Sequence, residues 1–512
     1  MKEPRSPVGV GLLRGSDIDD ALKVDRDSTT RVLLALAVAV VVIVAGLVAM
    51  PVRGPLGLVV LVAGAVGVCL LLGAPLVALT LLVVTSFLRL AIQVPGLPAE
   101  PMVLVLCAMV AAVVIALLRG TITVRFGALE AAMAAYLAWN AVSAVLPHEY
   151  PAAVPGTGET ISVYRFILTG TVLPFAAFVV ARSLLRGEDR VRKLMIALVI
   201  PAVYSAFVSI LQFTGPASLV WPRFIVSDPS YPERAVGVVN QPVVNGLIMV
   251  MGFVMAMFLA QQRRLHLGLR LTMLAVAILC VPGIYLTKTR AVWLAFGVGV
   301  VICAVFGRGA RTGFVVILTA ALLFIGVNWS TFTSSDRVAG GVGSSGEVED
   351  RLNSIATSFW AIEQKPVLGW GIGRFAQVNT HHHKQWTPST DFRRGYAIAS
   401  HENELGIATE LGLFGLALWL AVMGLIGVVL VRAMRRLPSQ GLAGRALVLM
   451  TITVLVTWVV AGFTADLRFF DFANLLTFLL LGATAGAVDG WAERPPEDAE
   501  SLEAAERSGA VR

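Results

Sequence analysis

One histidine and a scattered set of cations are the residues of this sequence best suited to chemistry. His401 stands in Ser400-His401-Glu402-Asn403-Glu404, where a long polar stretch gives way to an apolar one. An imidazole there is near its pKa at neutral pH and can take a proton from a hydroxyl; the alternative is a structural histidine at a helix start. Lys288 and Arg290 lie in a tight connection between two apolar bands, Arg165 opens another band, and Arg234 precedes Gly237 and Asn240-Gln241-Pro242 at the start of a third. Arg374, Arg393 and Arg394 lie in the polar stretch itself. A single arginine at a span end can snorkel to headgroups. A recurrent set suits an anionic substrate such as a diphosphate, which a guanidinium grips with two parallel hydrogen bonds.

The other candidate features are weaker. His381-His382-His383 invites a metal, but consecutive side chains diverge and make a poor chelate, so no metal or cofactor is expected. Gly369, Gly371 and Gly373 alternate without the preceding strand that a phosphate-binding loop needs. Trp370, Trp386, Phe392 and Tyr396 could line a substrate path or anchor the loop at the membrane interface. Leu352, Ile355, Phe359 and Ile362 recur at helical spacing, with Ser344 or Ser345 as the cap and Pro366 as the stop. That stripe reads as a packing face on the membrane surface or on the span bundle. The four cysteines all fall in apolar bands and show neither disulfide nor metal spacing.

What positions these residues is a membrane. The 512-residue chain is 57% hydrophobic and only 14% charged, against about 25% charged in globular proteins. Apolar bands near 32–50, 56–72, 75–92, 102–118, 127–146, 166–184, 193–213, 242–260, 271–287, 291–306, 312–329, 403–431, 444–463 and 469–487 give about fourteen spans, or twelve to thirteen if the short early bands merge. The expected fold class is therefore all-α, a polytopic membrane helix bundle. The first 30 residues lack the pattern of a cleavable signal, so the first band should be a retained span. Arginines cluster in every second connection, at Arg119/Arg125, Arg182/Arg186/Arg190/Arg192, Arg263/Arg264/Arg270, Arg308/Arg311 and Arg432/Arg435/Arg436/Arg445. The positive-inside rule puts these connections, and both termini, in the cytoplasm. The net charge of +8 thus sets orientation, and no nucleic-acid partner is expected. The expected division is a cytoplasmic segment 1–30, membrane domain 31–329, a large external loop 330–402, last helices 403–488, and a disordered cytoplasmic tail 489–512.

With those elements in place, three motifs carry a resemblance. Lys288-Thr289-Arg290-Ala291-Val292-Trp293-Leu294 resembles the (S/T)-R-x-x-W/x-L span start of the bacterial O-antigen ligase/O-antigen polymerase family. Arg351, Trp360, Pro366, Leu368-Gly369-Trp370-Gly371 and Phe375 look like its external loop. His401 followed by Glu410-Leu411-Gly412-Leu413-Phe414-Gly415 is similar to its H-N…E-L-G-x-x-G segment. One departure is Glu402 where the family usually carries Asn, Ser or Gln, with Asn403 one place later. The resemblance implies a metal-independent glycosyltransferase of the bacterial cytoplasmic membrane. It would move a glycan from an undecaprenyl-diphosphate-type carrier to an acceptor hydroxyl on a glycan or lipid, among membrane lipids and other envelope-glycan assembly proteins. Carried over, His401 is the base and Arg290 holds the diphosphate. Lys288, Arg165, Arg234, Arg374, Glu402, Asn403 and Trp370 are expected to bind substrate. The competing class is a multi-span transporter or flippase for lipid-linked glycan or a small anion. It would place ionisable groups at mid-membrane, where these bands carry almost none.

Overall fold

The computed structural model describes residues 74–92, 100–307, 309–336, 341–343, 346–390 and 398–493. The expected segment 1–30, the first two bands, Ser344, Ser345, Phe392, Arg393, Arg394, Tyr396 and the tail beyond 493 lie outside the described residues. Within them the protein is helical, with one isolated bridge between Ala153 and Thr160 in place of any strand. The main helices are α1 Pro75–Phe87, α2 Pro101–Leu118, α3 Ala128–Val145, α4 Val163–Leu184, α5 Glu188–Thr214, α6 Pro242–Ala260 and α7 Leu267–Leu286. They continue with α8 Arg290–Phe306, α9 Arg311–Val327, α10 Gly346–Gln364, α11 Phe375–His382, α12 Asn403–Arg436, α13 Leu442–Gly462 and α14 Asp471–Ala492. Nine of these are long and apolar enough to cross a membrane, and α1, α8 and α9 are shorter apolar helices. The chain is a polytopic helical membrane protein.

Burial follows composition. Every residue of α6 is buried, as expected of a helix that is apolar all round. Helices α5, α7, α8 and α13 pack around it, whereas α9 buries only Phe314 and otherwise faces outward. With no hydrophobic drive between helices in lipid, close contact relies on small residues. A repeated case is α14 on α4. A Cβ added at Gly482, Gly486 or Gly490 would lie 2.3, 2.6 or 2.3 Å from the carbonyl oxygens of Phe178, Arg182 and Arg186. Both rows advance four residues at a time, so one helical stripe seats directly on the other backbone.

The two ends of the bundle differ chemically. At one end, Arg182 bridges Glu130 at 2.5 Å and Asp489 at 2.8 Å. Arg125 pairs with Asp489 and Glu493, and Arg186 pairs with Glu493 and bonds the Thr123 carbonyl. The other end carries the polar stretch and its helices α10 and α11.

The α4–α14 contact leaves no room for a side chain. Gly486→Leu is expected to cost at least the roughly 1–3 kcal/mol of overpacking, read as a lowered thermal midpoint in detergent and reduced membrane accumulation. Gly326→Leu, where an added Cβ meets nothing within 4 Å, should leave both unchanged.

Candidate functional site

At the end away from the Arg182 network lies a cavity of about 740 Å³, within the usual range of ligand sites. Helix starts and connections from along the whole described chain build it. Phe87, Leu90, Val243, Val244, Phe469 and Phe470 give it apolar walls. Its charged lining is Arg89, Arg234, Arg290 and Arg351, with Asp466, Asp471 and His401. Four arginines line it with two aspartates, and each aspartate has an arginine partner. Asp471 is paired with Arg89 at 2.6 Å, and Asp466 with Arg468 at 2.5 Å.

Two strained turns present Arg290 and His401. Among the described residues, three non-glycine positions have positive φ, Asn240 at 49°, Lys288 at 46° and His401 at 56°. Asn240 and His401 line the cavity, and Lys288 is two residues from Arg290. Such conformations cost about 1–3 kcal/mol each and persist only where the surroundings impose them. Around Lys288, the Thr289 hydroxyl donates to the Thr287 carbonyl at 2.8 Å. Arg234 clamps the same turn through Nε to the Thr287 carbonyl at 3.1 Å and Nη2 to Thr289 Oγ1 at 2.5 Å. Arg290 then begins α8 as its first residue. Around His401, the Ser400 hydroxyl donates across it to the Glu402 carbonyl at 2.7 Å. Glu402 caps α12 by accepting the Leu405 N–H at 2.5 Å. Gly406 lies beneath this turn, where an added Cβ would sit 2.6 Å from Ser400 Oγ and 2.9 Å from Arg468 Nη2 and Asp466 Oδ2.

The stretch Glu410-Leu411-Gly412 is the anchor of the site. Helix α12 is broken at Gly412, whose φ is 71°. A break frees backbone groups that must be satisfied in a low-dielectric setting, and the glycine-rich loop after α10 satisfies them. Trp370 N–H donates to the Thr409 carbonyl at 2.9 Å and Gly371 N–H to the Glu410 carbonyl at 2.8 Å. Leu413 N–H donates to the Pro366 carbonyl at 2.7 Å, and Trp139 Nε1 reaches the Leu411 carbonyl at 2.9 Å. The Glu410 carboxylate, 1% exposed, accepts the N–H groups of Gly373 at 2.8 Å and Phe375 at 2.9 Å, and pairs with Arg468 at 2.6 Å. Gly369, Gly371 and Gly373, all at positive φ, therefore shape a loop that docks on the broken helix.

The remaining expected residues lie elsewhere. Trp370 is buried in a cluster with Tyr150, Trp360 and His382, under the Lys365 ammonium at 3.8 Å. Arg374 spends its donors on the carbonyls of Tyr150 and Ile372, both at 2.8 Å, and burial lowers its pKa. Arg165 pairs with Glu100, Lys288 stands over the Phe213 ring, and Asn403 is buried beside Glu404. None of these five lines the cavity, nor does Glu402. His382 bonds Tyr150 Oη at 2.7 Å and His381 stacks on the same ring. Among the described residues no three His, Cys, Asp or Glu converge as a metal site. Sequence reasoning missed Arg89, Asp466, Arg468 and Asp471 because each reads as an ordinary charge at a span end. The available signal was the run Asp466-Leu467-Arg468 beside a second acid, Asp471, in a short connection on the same face.

Residues 275–420 match the O-Antigen ligase family, so the resemblance drawn from the three motifs stands. The match spans Arg290, α10, the docked loop and His401, and implies membrane glycan processing of the ligase or polymerase type. No curated protein matches the chain.

Two outcomes follow from this geometry. Glu410→Ala leaves Arg468 to Asp466 alone and strands the buried N–H groups of Gly373 and Phe375, at a cost of about 1–3 kcal/mol for each; proteolysis within 366–375 and the unfolding midpoint both report it. Burial, aided by neighbouring Glu404, pushes the Glu402 carboxyl up to about 7 from its ordinary 4.5. The folded chain thus keeps a proton that the unfolded chain has released, so this group's contribution makes stability fall as pH rises through that window. Glu402→Gln should flatten that part of a melting-temperature profile against pH.

Proposed function

We propose that the protein transfers a glycan from an undecaprenyl-diphosphate-type carrier to an acceptor hydroxyl, as a surface-polysaccharide ligase or polymerase. The reaction takes place on the external face of the cytoplasmic membrane. One observation carries this reading: His401 and Arg290, from motifs far apart in sequence, line one cavity with three further arginines. The positive-inside rule assigns the opposite, arginine-rich connections to the cytoplasm. Depth is consistent. Residues 413–431 of α12 span about 28 Å at about 1.5 Å per residue, close to the roughly 30 Å of hydrocarbon. The Gly412 break then falls at the outer boundary and His401 at headgroup level, where a lipid diphosphate resides.

In this reading the acceptor oxygen attacks the anomeric carbon as the bond to the diphosphate oxygen breaks. His401 takes the acceptor proton. Arg290 and Arg351 offset the charge that grows on the leaving lipid diphosphate, while Arg234 holds the turn that aims Arg290. Asp466 and Asp471, each held by an arginine, leave the cavity net positive. The apolar walls accept the first isoprene units.

The test is transfer from a purified lipid-diphosphate glycan by protein in nanodiscs. Loss of a general base costs about 10²–10⁴ in rate, so His401→Ala should lose that much while still binding donor. Arg290→Ala should weaken donor binding as well as turnover, and Arg290→Lys should recover only part because the bidentate fork is gone. A chelator should leave the wild-type rate unchanged. Near-normal transfer by His401→Ala would overturn the assignment.

A further inference from the structure

Helix α10 is turned opposite to the usual amphipathic helix. Its buried face is polar, with Asp350, Asn353, Ser354, Thr357 and Ser358 all buried. Segment 384–390 covers that face. Trp386 N–H donates to Asn353 Oδ1 at 2.9 Å, Asn353 Nδ2 to the Thr390 carbonyl at 3.2 Å, and Lys384 N–H to Thr357 Oγ1 at 2.9 Å. Along the opposite stripe Val348 and Phe359 are exposed, at 46% and 51%, and Leu352, Ile355 and Ile362 are half-buried. Chain periodicity put these residues on one face, and of the two settings that left open, the membrane surface or the span bundle, the exposure of Val348 and Phe359 favours the first.

Both ends of α10 lie against the ends of candidate spanning helices. Near its start, Arg351 lines the cavity beside Arg290 and Asp471, the first residues of α8 and α14. Just past its end, the Pro366 carbonyl accepts the Leu413 N–H, and an added Gly412 Cβ would lie 2.0 Å from the Val367 carbonyl oxygen. A helix tied at both ends to span ends on one side of the bundle runs across that side rather than through it. Its stripe also continues into a lipid-facing flank, because Val367, Leu368, Leu413 and Phe414 are all exposed around the break and the last two open the spanning half of α12.

We propose that α10 is an interfacial helix, seated with its apolar stripe in the acyl boundary of the leaflet that borders the cavity. Such a helix buries its apolar face several ångströms below the headgroups. It fixes the height of Arg351, and with it that of the cavity mouth, relative to the lipid surface. This holds whether or not glycan transfer is the reaction.

The test places a bimane label at Phe359→Cys in full-length protein with Cys69 and Cys107 replaced by alanine. The protein is reconstituted into phosphatidylcholine–phosphatidylglycerol vesicles. Ser389→Cys, an exposed position on the covering segment, is the reference. Shallow doxyl-labelled lipid should quench the label at 359 severalfold more than at 389, and aqueous iodide should show the reverse order. Equal iodide quenching at both sites would overturn the proposal, as would copper-catalysed disulfide bonding between two copies through Phe359→Cys. Val348→Cys gives the same reading should the first variant fail to accumulate.

Discussion

The site depends on one buried carboxylate. Glu410 sits where α12 breaks, and it holds Arg468 on one side and two backbone N–H groups of the glycine-rich loop on the other. Removing these charges from water costs several kcal/mol per ion, and the return comes only with full hydrogen bonding. Arg468 supplies that by gripping Asp466 with Nε at 2.9 Å and Nη2 at 2.5 Å while reaching Glu410. An apolar core of equal volume could be as stable, but it would not fix direction. Here the triad locks the loop to α12 and the α13–α14 connection to both, and the turn bearing His401 rests on it through Gly406.

Strain and satisfaction are arranged together. The turns that aim Arg290 and His401 occupy sparsely populated backbone conformations, yet hydroxyls and a guanidinium meet the polar groups around them. Helix α4 joins this frame through a π-helical turn at Leu168–Val172, where an added Gly170 Cβ would lie 2.8 Å from the Arg468 carbonyl oxygen. Single π turns often mark functional sites, and this one brings the α4 backbone against the residue that pairs with Glu410.

Much of the architecture is legible in the sequence because lipid imposes a simple rule of length and apolarity. The twelve bands from 75–92 onward each appear as a helix among the described residues. His401 and Arg290 were marked by their place at band edges on one face. What escaped was anything set by a partner distant in sequence. Glu410 and Arg468 are 58 residues apart, and neither residue type nor spacing announces their bond. Trp370 and Arg374 have the chemistry of a binding site but are consumed in holding the loop. The α10 stripe shows a different limit: periodicity says which side chains share a face, while the medium that face meets is decided by the tertiary fold.

The cavity has a further property that no side chain supplies. Helices α6, α8, α12 and α14 all start beside it, since Gln241, Arg290, His401 and Asp471 lie at or within two residues of their first residues. Each helix carries about half a unit of positive charge at its N-terminus from aligned peptide dipoles. Four such ends face one space. The caps Gln241 and Glu402 take up some of the free N–H groups, but the dipoles themselves remain. Part of the attraction for an anionic group is thus written into the backbone. It does not titrate, and no single arginine substitution removes it.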